Sequence, residues 1–163
     1  MIDTSGHGLG TALHTSAIHL QLREINELNL PLADQMVWLN QRAHHYFDEA
    51  SFAAAIGFEV DLTMRKLRWV CAGIPEIRVA AKGARGILAR SGLFLGINSE
   101  ETYDAHELAI GEGDTFYFLT DGLTDRLGMH TDLPFENFES MVKIITALAD
   151  SPERRDDATA LCI

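Results

Sequence analysis

Cysteine is almost missing from this sequence: Cys71 and Cys162 are the two among 163 residues. They form no C-x-x-C pair, which excludes the common thiolate zinc sites. Both sit in apolar, strand-like runs, where a thiol reads as a small buried hydrophobe. Long apolar runs are missing too, since no stretch reaches the ~20 residues that a bilayer-spanning helix needs. The first residues are acidic and glycine-rich rather than basic and then apolar, so no signal peptide is predicted. A reducing cytoplasm is the expected compartment. Basic residues are few, 13 Lys and Arg against 24 Asp and Glu, for a net charge of -11. Nucleic acid and anionic membranes, which are recognised through basic patches, are excluded as main partners. Cations and basic protein surfaces are not. There is no internal repeat and no low-complexity tract.

What is present is ordinary for a globular chain. Apolar residues make up 47% of the sequence, and the length suffices for one domain with a real core, expected to span residues 1–163. Met1-Ile2 reads as the tail of a strand, so the chain is expected to be N-terminally truncated, without its first hairpin. The proline-free run Leu9 to Leu28 carries two apolar stripes, Leu13/Ala17/Leu20 and Ile18/Leu22/Ile25, which predict a helix buried on a broad face. Pro31 opens a second helix with Leu32, Met36, Leu39, Ala43 and Tyr46 on one side and Asp34, Gln41 and Arg42 toward water.

The period then changes to two. Phe52 to Val60 and Leu67 to Cys71 alternate as a hairpin closed by Asp61-Leu62-Thr63-Met64. Gly73-Ile74-Pro75 breaks it, and Ile77 and Val79 suggest a short strand. Lys82-Gly83-Ala84-Arg85-Gly86 reads as a loop, with a strand from Ile87. Asn98 to Asp104 is a surface loop or short helix, His106 to Ile110 a strand, Gly111-Glu112-Gly113-Asp114 a tight turn and Thr115 to Thr120 an aromatic strand. Leu123 to Leu127 reads as one helical turn. A helix from Phe135 is stopped by Asp150-Ser151-Pro152. Arg154-Arg155-Asp156-Asp157 leads into a last strand, Ala158 to Ile163. Sequential hairpins flanked by helices predict an α+β fold with antiparallel sheets covered by helices.

Three acidic spots stand at the ends of apolar runs: Asp3-Thr4-Ser5-Gly6-His7-Gly8, Thr120-Asp121-Gly122 and Asp156-Asp157-Ala158-Thr159. Alone, each has a bland reading. The first is a glycine-rich turn feeding a helix. Its G-x-G-x-G spacing is not the dinucleotide fingerprint, and a serine nucleophile elbow needs glycine where Asp3 stands. Asp121-Gly122 is a hairpin-turn dipeptide. Asp156-Asp157 is a solvated loop, although adjacent carboxylates repel unless a cation or base is near. We expect folding to bring the three together around divalent metal ions.

The order D-x-S-G-H-G, then a strand ending T-D-G, then a terminal D-D-A-T-A-L resembles the metal-dependent protein phosphatases, closest to the bacterial branch typified by SpoIIE. Cys71-Ala72-Gly73-Ile74-Pro75 resembles that branch's N-A-G-H-P segment, and Gly111-Glu112-Gly113-Asp114 its G-x-G-D turn. The resemblance covers essentially the whole chain. It implies an α-β-β-α fold, two antiparallel sheets sandwiched between helices, holding two Mn²⁺ or Mg²⁺ ions. It implies that Asp3 bridges both metals, that the Thr4 carbonyl ligates one, and that Asp121 and Asp156 complete the coordination of the second metal, with Asp157 beside them as an outer or alternative ligand. Hard oxygen donors suit such ions, which activate water for in-line attack. His7 is a candidate general acid. The remaining histidines, His14, His19, His44, His45, His106 and His130, read as structural or solvated.

The implied activity is hydrolysis of phosphoserine or phosphothreonine on a regulatory protein, such as an anti-sigma-factor antagonist. An upstream sensor or receiver domain would control it, and a homodimer is left open. The sequence departs from the pattern at Ile74 and Cys71, and the family's further metal-binding aspartate, which precedes the D-x-S-G-H-G loop, has no counterpart here. That departure motivates the rival reading, a catalytically impaired binding module of the same fold.

Overall fold

The computed structural model describes residues 1–74, 77–81, 84–88, 92–128, 133–135, 137–151 and 157–163. The elements run β1 (Ile2–Thr4), α1 (Leu9–Ile25), α2 (Leu32–Tyr46), β2 (Ala53–Asp61), β3 (Lys66–Ala72), β4 (Ile77–Ala81), β5 (Ala84–Leu88), β6 (His106–Ala109), β7 (Thr115–Leu119), α3 (Asp121–Leu127), α4 (Phe138–Ala149) and β8 (Ala160–Cys162). The described strands form two four-stranded sheets, ordered β1-β2-β3-β6 and β5-β4-β7-β8. The α+β class and the two antiparallel sheets expected from the sequence are therefore present. The chain divides into two compact units.

The first unit comprises Met1–Asp61, Leu67–Ile74 and Ser91–Glu107. Its sheet offers small side chains to its core: Ala53, Ala55 and Ala72 are buried together with Val70, Ile18, Met36, Leu39 and Ala43. Alanines on a strand let neighbouring backbone come close. Gly73, just past β3, takes this furthest, since its φ is +71° and a Cβ there would overlap the Phe94 ring. Fully buried Asn40 on α2 is doubly satisfied: its Oδ1 accepts from Gly96 N–H at 2.9 Å and its Nδ2 donates to Asn98 O at 2.7 Å. Segment 96–98 is therefore fastened to α2 without another strand.

The second unit comprises Leu62–Lys66, Pro75–Arg90 and Leu108–Ile163. Its central strand β7 is buried along its whole length, as a strand of Phe, Tyr, Phe and Leu must be when both faces are covered. It pairs antiparallel with β4, Arg78 facing Tyr117, and with β8, Phe118 facing Leu161. Tyr117, Leu119, Leu123, Leu127, Met141 and Ile145 form its core. The Phe135 carbonyl accepts from both the Tyr117 hydroxyl at 3.0 Å and the Thr115 hydroxyl at 2.9 Å.

Several expectations need correction. Helix α1 is not buried on a broad face: Ile18 and Ile25 are buried, but Leu13 and Leu20 are 62% and 61% exposed. It packs on α2 and touches β1, and two neighbours cover one narrow stripe. On α2, Tyr46 is exposed while Met36, Leu39 and Ala43 are buried. Ala84–Gly86, read as loop, begins strand β5, because β4 supplies the ladder partners Ala81, Ala80 and Val79. Helix α3 starts at Asp121 and has seven residues rather than one turn. Helix α4 starts at Phe138 rather than Phe135, because Asn137 caps it by accepting from Ser140 N–H at 3.0 Å. Pro75, Lys82-Gly83, His130, Pro152 and Arg154-Arg155-Asp156 lie outside the described residues.

Two measurements test these contacts. Asn40→Ala orphans the Gly96 amide and the Asn98 carbonyl and is expected to cost about 2–3 kcal/mol in denaturant unfolding. Burial pushes the Cys71 thiol up from 9.0 to about 12, and Tyr103 and Tyr117 are also raised by burial. The folded state therefore keeps protons that the unfolded chain has already lost. Stability should be unaffected by Cys71 below pH 9 and fall as pH rises from about 9 toward 12, as read by unfolding at stepped pH.

Candidate functional site

The acidic spots fall in the two units, and each is built differently. In the first unit, β1 pairs antiparallel with β2, placing Asp3 opposite Ala54 and Thr4 opposite Ala53. Asp3 therefore lies inside the strand, which runs two residues further than Met1-Ile2. Beyond the strand, Ser5 prolongs the ladder: its N–H donates to Phe52 O at 2.9 Å, and its Oγ accepts from Phe52 N–H at 2.9 Å. The chain then turns through Gly6 (φ +84°) and Gly8 (φ +94°), backbone conformations that favour glycine. His7 stands exposed between them.

The far side of the same segment is held by α1. The Thr11 hydroxyl donates to Ser5 O at 3.3 Å, and Thr4 Oγ1 lies 2.8 Å from Thr15 Oγ1. No side chain caps the helix at Gly8.

In the second unit, Thr120 ends the buried run of β7, and Asp121 opens α3. The Asp121 Oδ1 accepts from Gly122 N–H at 2.8 Å, which turns the carboxylate back over the first helical residues. Asp121-Gly122 is thus a helix start and not a hairpin turn. Thr120, 2% exposed, ties this point to the segment before β8. Its N–H donates to Thr159 O at 3.1 Å, and its Oγ1 accepts from Thr159 N–H at 3.0 Å. The same hydroxyl has Asp157 O and Thr159 O each at 3.4 Å to receive its proton. Residues adjacent to Thr120 on one side and to Thr159 on the other are thereby brought to one end of the sheet, and both Asp121 and Asp157 are exposed there.

The structure thus groups Asp3, Thr4 and His7 in the first unit and Asp121 with Asp157 in the second; Asp156 lies outside the described residues. Among the described residues no three His, Cys, Asp or Glu gather as one metal-binding group. Of the other described histidines, His14 lies against Phe47, His44 Nδ1 is 2.9 Å from Gly96 O, His45 lies against Tyr46 and His106 lies against Trp69, while His19 is exposed. Sequence reasoning missed Ser5, Thr11, Thr15 and Thr120 as organisers. A threonine closing a buried aromatic strand, and two threonines four apart on the helix after an acidic strand, were the available signals.

The G-x-G-D turn is formed as the motif suggests. The Asp114 Oδ2 accepts from Gly111 N–H at 2.8 Å, and Gly113 sits at φ +85°.

The sequence model of the family described as Stage II sporulation protein E (SpoIIE) matches residues 1–163. The chain belongs to the SpoIIE family. Phosphoserine phosphatase RsbP of Bacillus subtilis (strain 168) is 26% identical over 177 residues, a match that covers 99% of this chain and 43% of the relative. The SpoIIE-family chain therefore spans less than half the length of that relative. Among solved structures, the SiaA-PP2C domain of Pseudomonas aeruginosa superposes with a TM-score of 0.78 at 22% identity, over 99% of this chain and 73% of that one. RsbX in complex with magnesium gives a TM-score of 0.69 at 16% identity, over 99% and 76%. The fold is that of the PP2C-type phosphatases.

Thr120→Val keeps the shape but removes the hydroxyl that serves Thr159 N–H. It is expected to cost about 1–3 kcal/mol in denaturant unfolding, with Thr120→Ser retaining most of the stability.

Proposed function

We propose that this SpoIIE-family chain is the catalytic domain of a metal-dependent serine/threonine protein phosphatase. Its substrate class is phosphoserine or phosphothreonine on a regulatory protein, such as an anti-sigma-factor antagonist. The observation that carries the reading is the Thr120 tie, which gives two exposed carboxylates a common place beside the T-D-G strand end of a chain that matches the family along its whole length. The relative's name, phosphoserine phosphatase, supports the same reaction class.

The donor chemistry fits a hard divalent ion. The candidates are carboxylates of Asp3, Asp121, Asp156 and Asp157 and the Thr4 carbonyl, all oxygens, and Mg²⁺ and Mn²⁺ prefer oxygen. Asp3 and the Thr4 carbonyl would hold one ion, and Asp121, Asp156 and Asp157 would hold another, all through oxygen. Bound ions of this kind lower the pKa of a water and neutralise phosphoryl charge. RsbX was solved with magnesium, which supports the choice of ion.

The chain's own residues supply the frame. Ser5 and Phe52 fix the Asp3 strand end, and Thr120 fixes the second acidic pair. His7, exposed on the glycine loop, is the candidate general acid for the leaving oxygen. We place the protein in the cytoplasm, joined in its full length to a sensor or receiver domain; among the described residues no helix is long and apolar enough to cross a membrane.

Hydrolysis of p-nitrophenyl phosphate with Mn²⁺ tests the reading. Asp121→Asn should lower the rate about 100-fold or more, and chelation by EDTA should remove it. Equal rates for the two proteins would refute the assignment and leave the rival, a phosphatase-fold module that works by binding alone.

A further inference from the structure

Resting on the metal reading above, we propose that Thr15 is a positioning residue, which sets the Asp3–Ser5 segment through a hydroxyl relay from α1. The direction of the relay follows from proton counting. A threonine hydroxyl has one proton to give. Thr15 Oγ1 gives its proton to Thr11 O, one turn earlier, at 2.9 Å. In the 2.8 Å contact between the two hydroxyls, Thr4 is therefore the donor and Thr15 the acceptor. One turn toward the helix start, the Thr11 hydroxyl donates to Ser5 O at 3.3 Å. Positions four apart share a helix face, so one face of α1 grips the segment twice.

The two grips bracket the atoms that matter. One holds the Thr4 side chain and the other the Ser5 carbonyl, so the Thr4 carbonyl lies between them in the chain. On the opposite side, Phe52 holds Ser5 through both its N–H and its Oγ. Asp3 and the Thr4 carbonyl are thus clamped between β2 and α1. The link through Gly6, His7 and Gly8 adds no side-chain cap to these grips.

The neighbouring residue supplies the control. Ser16 makes the same backward bond along the helix, to Ala12 O at 2.8 Å, and has no partner in the Asp3–Ser5 segment. A threonine or serine bonding to the carbonyl four residues back is in itself neutral or slightly unfavourable to a helix. At Thr15 that bond has a second result: it leaves the oxygen as an acceptor for Thr4.

The test uses the 163-residue chain and two readouts. Mn²⁺ titration calorimetry should show binding weakened about fivefold by Thr15→Val and restored by Thr15→Ser, with Ser16→Ala equal to wild type. Thr4→Val should weaken binding similarly, and the Thr4→Val/Thr15→Val double variant should be no weaker than either single one, because both remove one bond. Amide hydrogen exchange of residues 3–6 in metal-free protein should rise about fivefold in Thr15→Val and stay unchanged in Ser16→Ala.

The two failures are distinguishable. No Mn²⁺ heat from wild type overturns the metal reading and the relay's role with it. Heat from wild type with equal heat from Thr15→Val, or with unchanged exchange at residues 3–6, overturns the relay alone. If Thr15→Val does not fold, the Thr4→Val comparison decides.

Discussion

A single buried hydroxyl, that of Thr120, carries the organisation of the second unit's acidic end. It accepts from one backbone amide and faces two carbonyls of the same segment. A strand end is where the ladder stops supplying partners, and a buried polar group there must find others. Thr120 solves that problem for itself and for residues 157–159 at once. Because its own N–H continues the β7–β8 pairing, the side-chain bonds cannot shift without breaking the backbone bond beside them. The tie between β7 and residues 157–159 is made by a neutral group, so these hydrogen bonds do not themselves require a cation.

The first unit uses the same device with different parts. There, hydroxyls of Ser5, Thr4, Thr11 and Thr15 replace ladder bonds where β1 gives way to glycine. Serine and threonine suit this task because a hydroxyl is both donor and acceptor and costs little side-chain entropy to fix.

Much of this was legible in the sequence because strands announce themselves by alternation and by what ends them. Residues 53–61 and 66–72 alternate and are bounded by turn residues, and the G-x-G-D turn names its own hydrogen bond. Asp121 follows a strand end as read, although it starts a helix, whereas Asp3 lies inside its strand, the last strand runs Ala160–Cys162 rather than from Ala158 to Ile163, and Asp156 lies outside the described residues. The errors have physical causes. The apolar pattern of α1 says which faces could be buried, not how many neighbours arrive to cover them. Ala84–Gly86 has the composition of a loop, and a long-range ladder with β4 overrides that local preference. Thr120 was missed as an organiser because its place at the end of an aromatic strand does not show the direction of its hydroxyl.

The alanine-lined face of the first unit's sheet has an evolutionary consequence. Where Ala53, Ala55 and Ala72 are buried and Gly73 abuts a ring, shape is written by backbone proximity rather than by side-chain volume. Drift at these positions is one-sided: removing atoms leaves a gap of a single methyl, whereas adding any pushes whole elements apart. Across diverging descendants, smallness there should outlast hydrophobicity as the inherited trait.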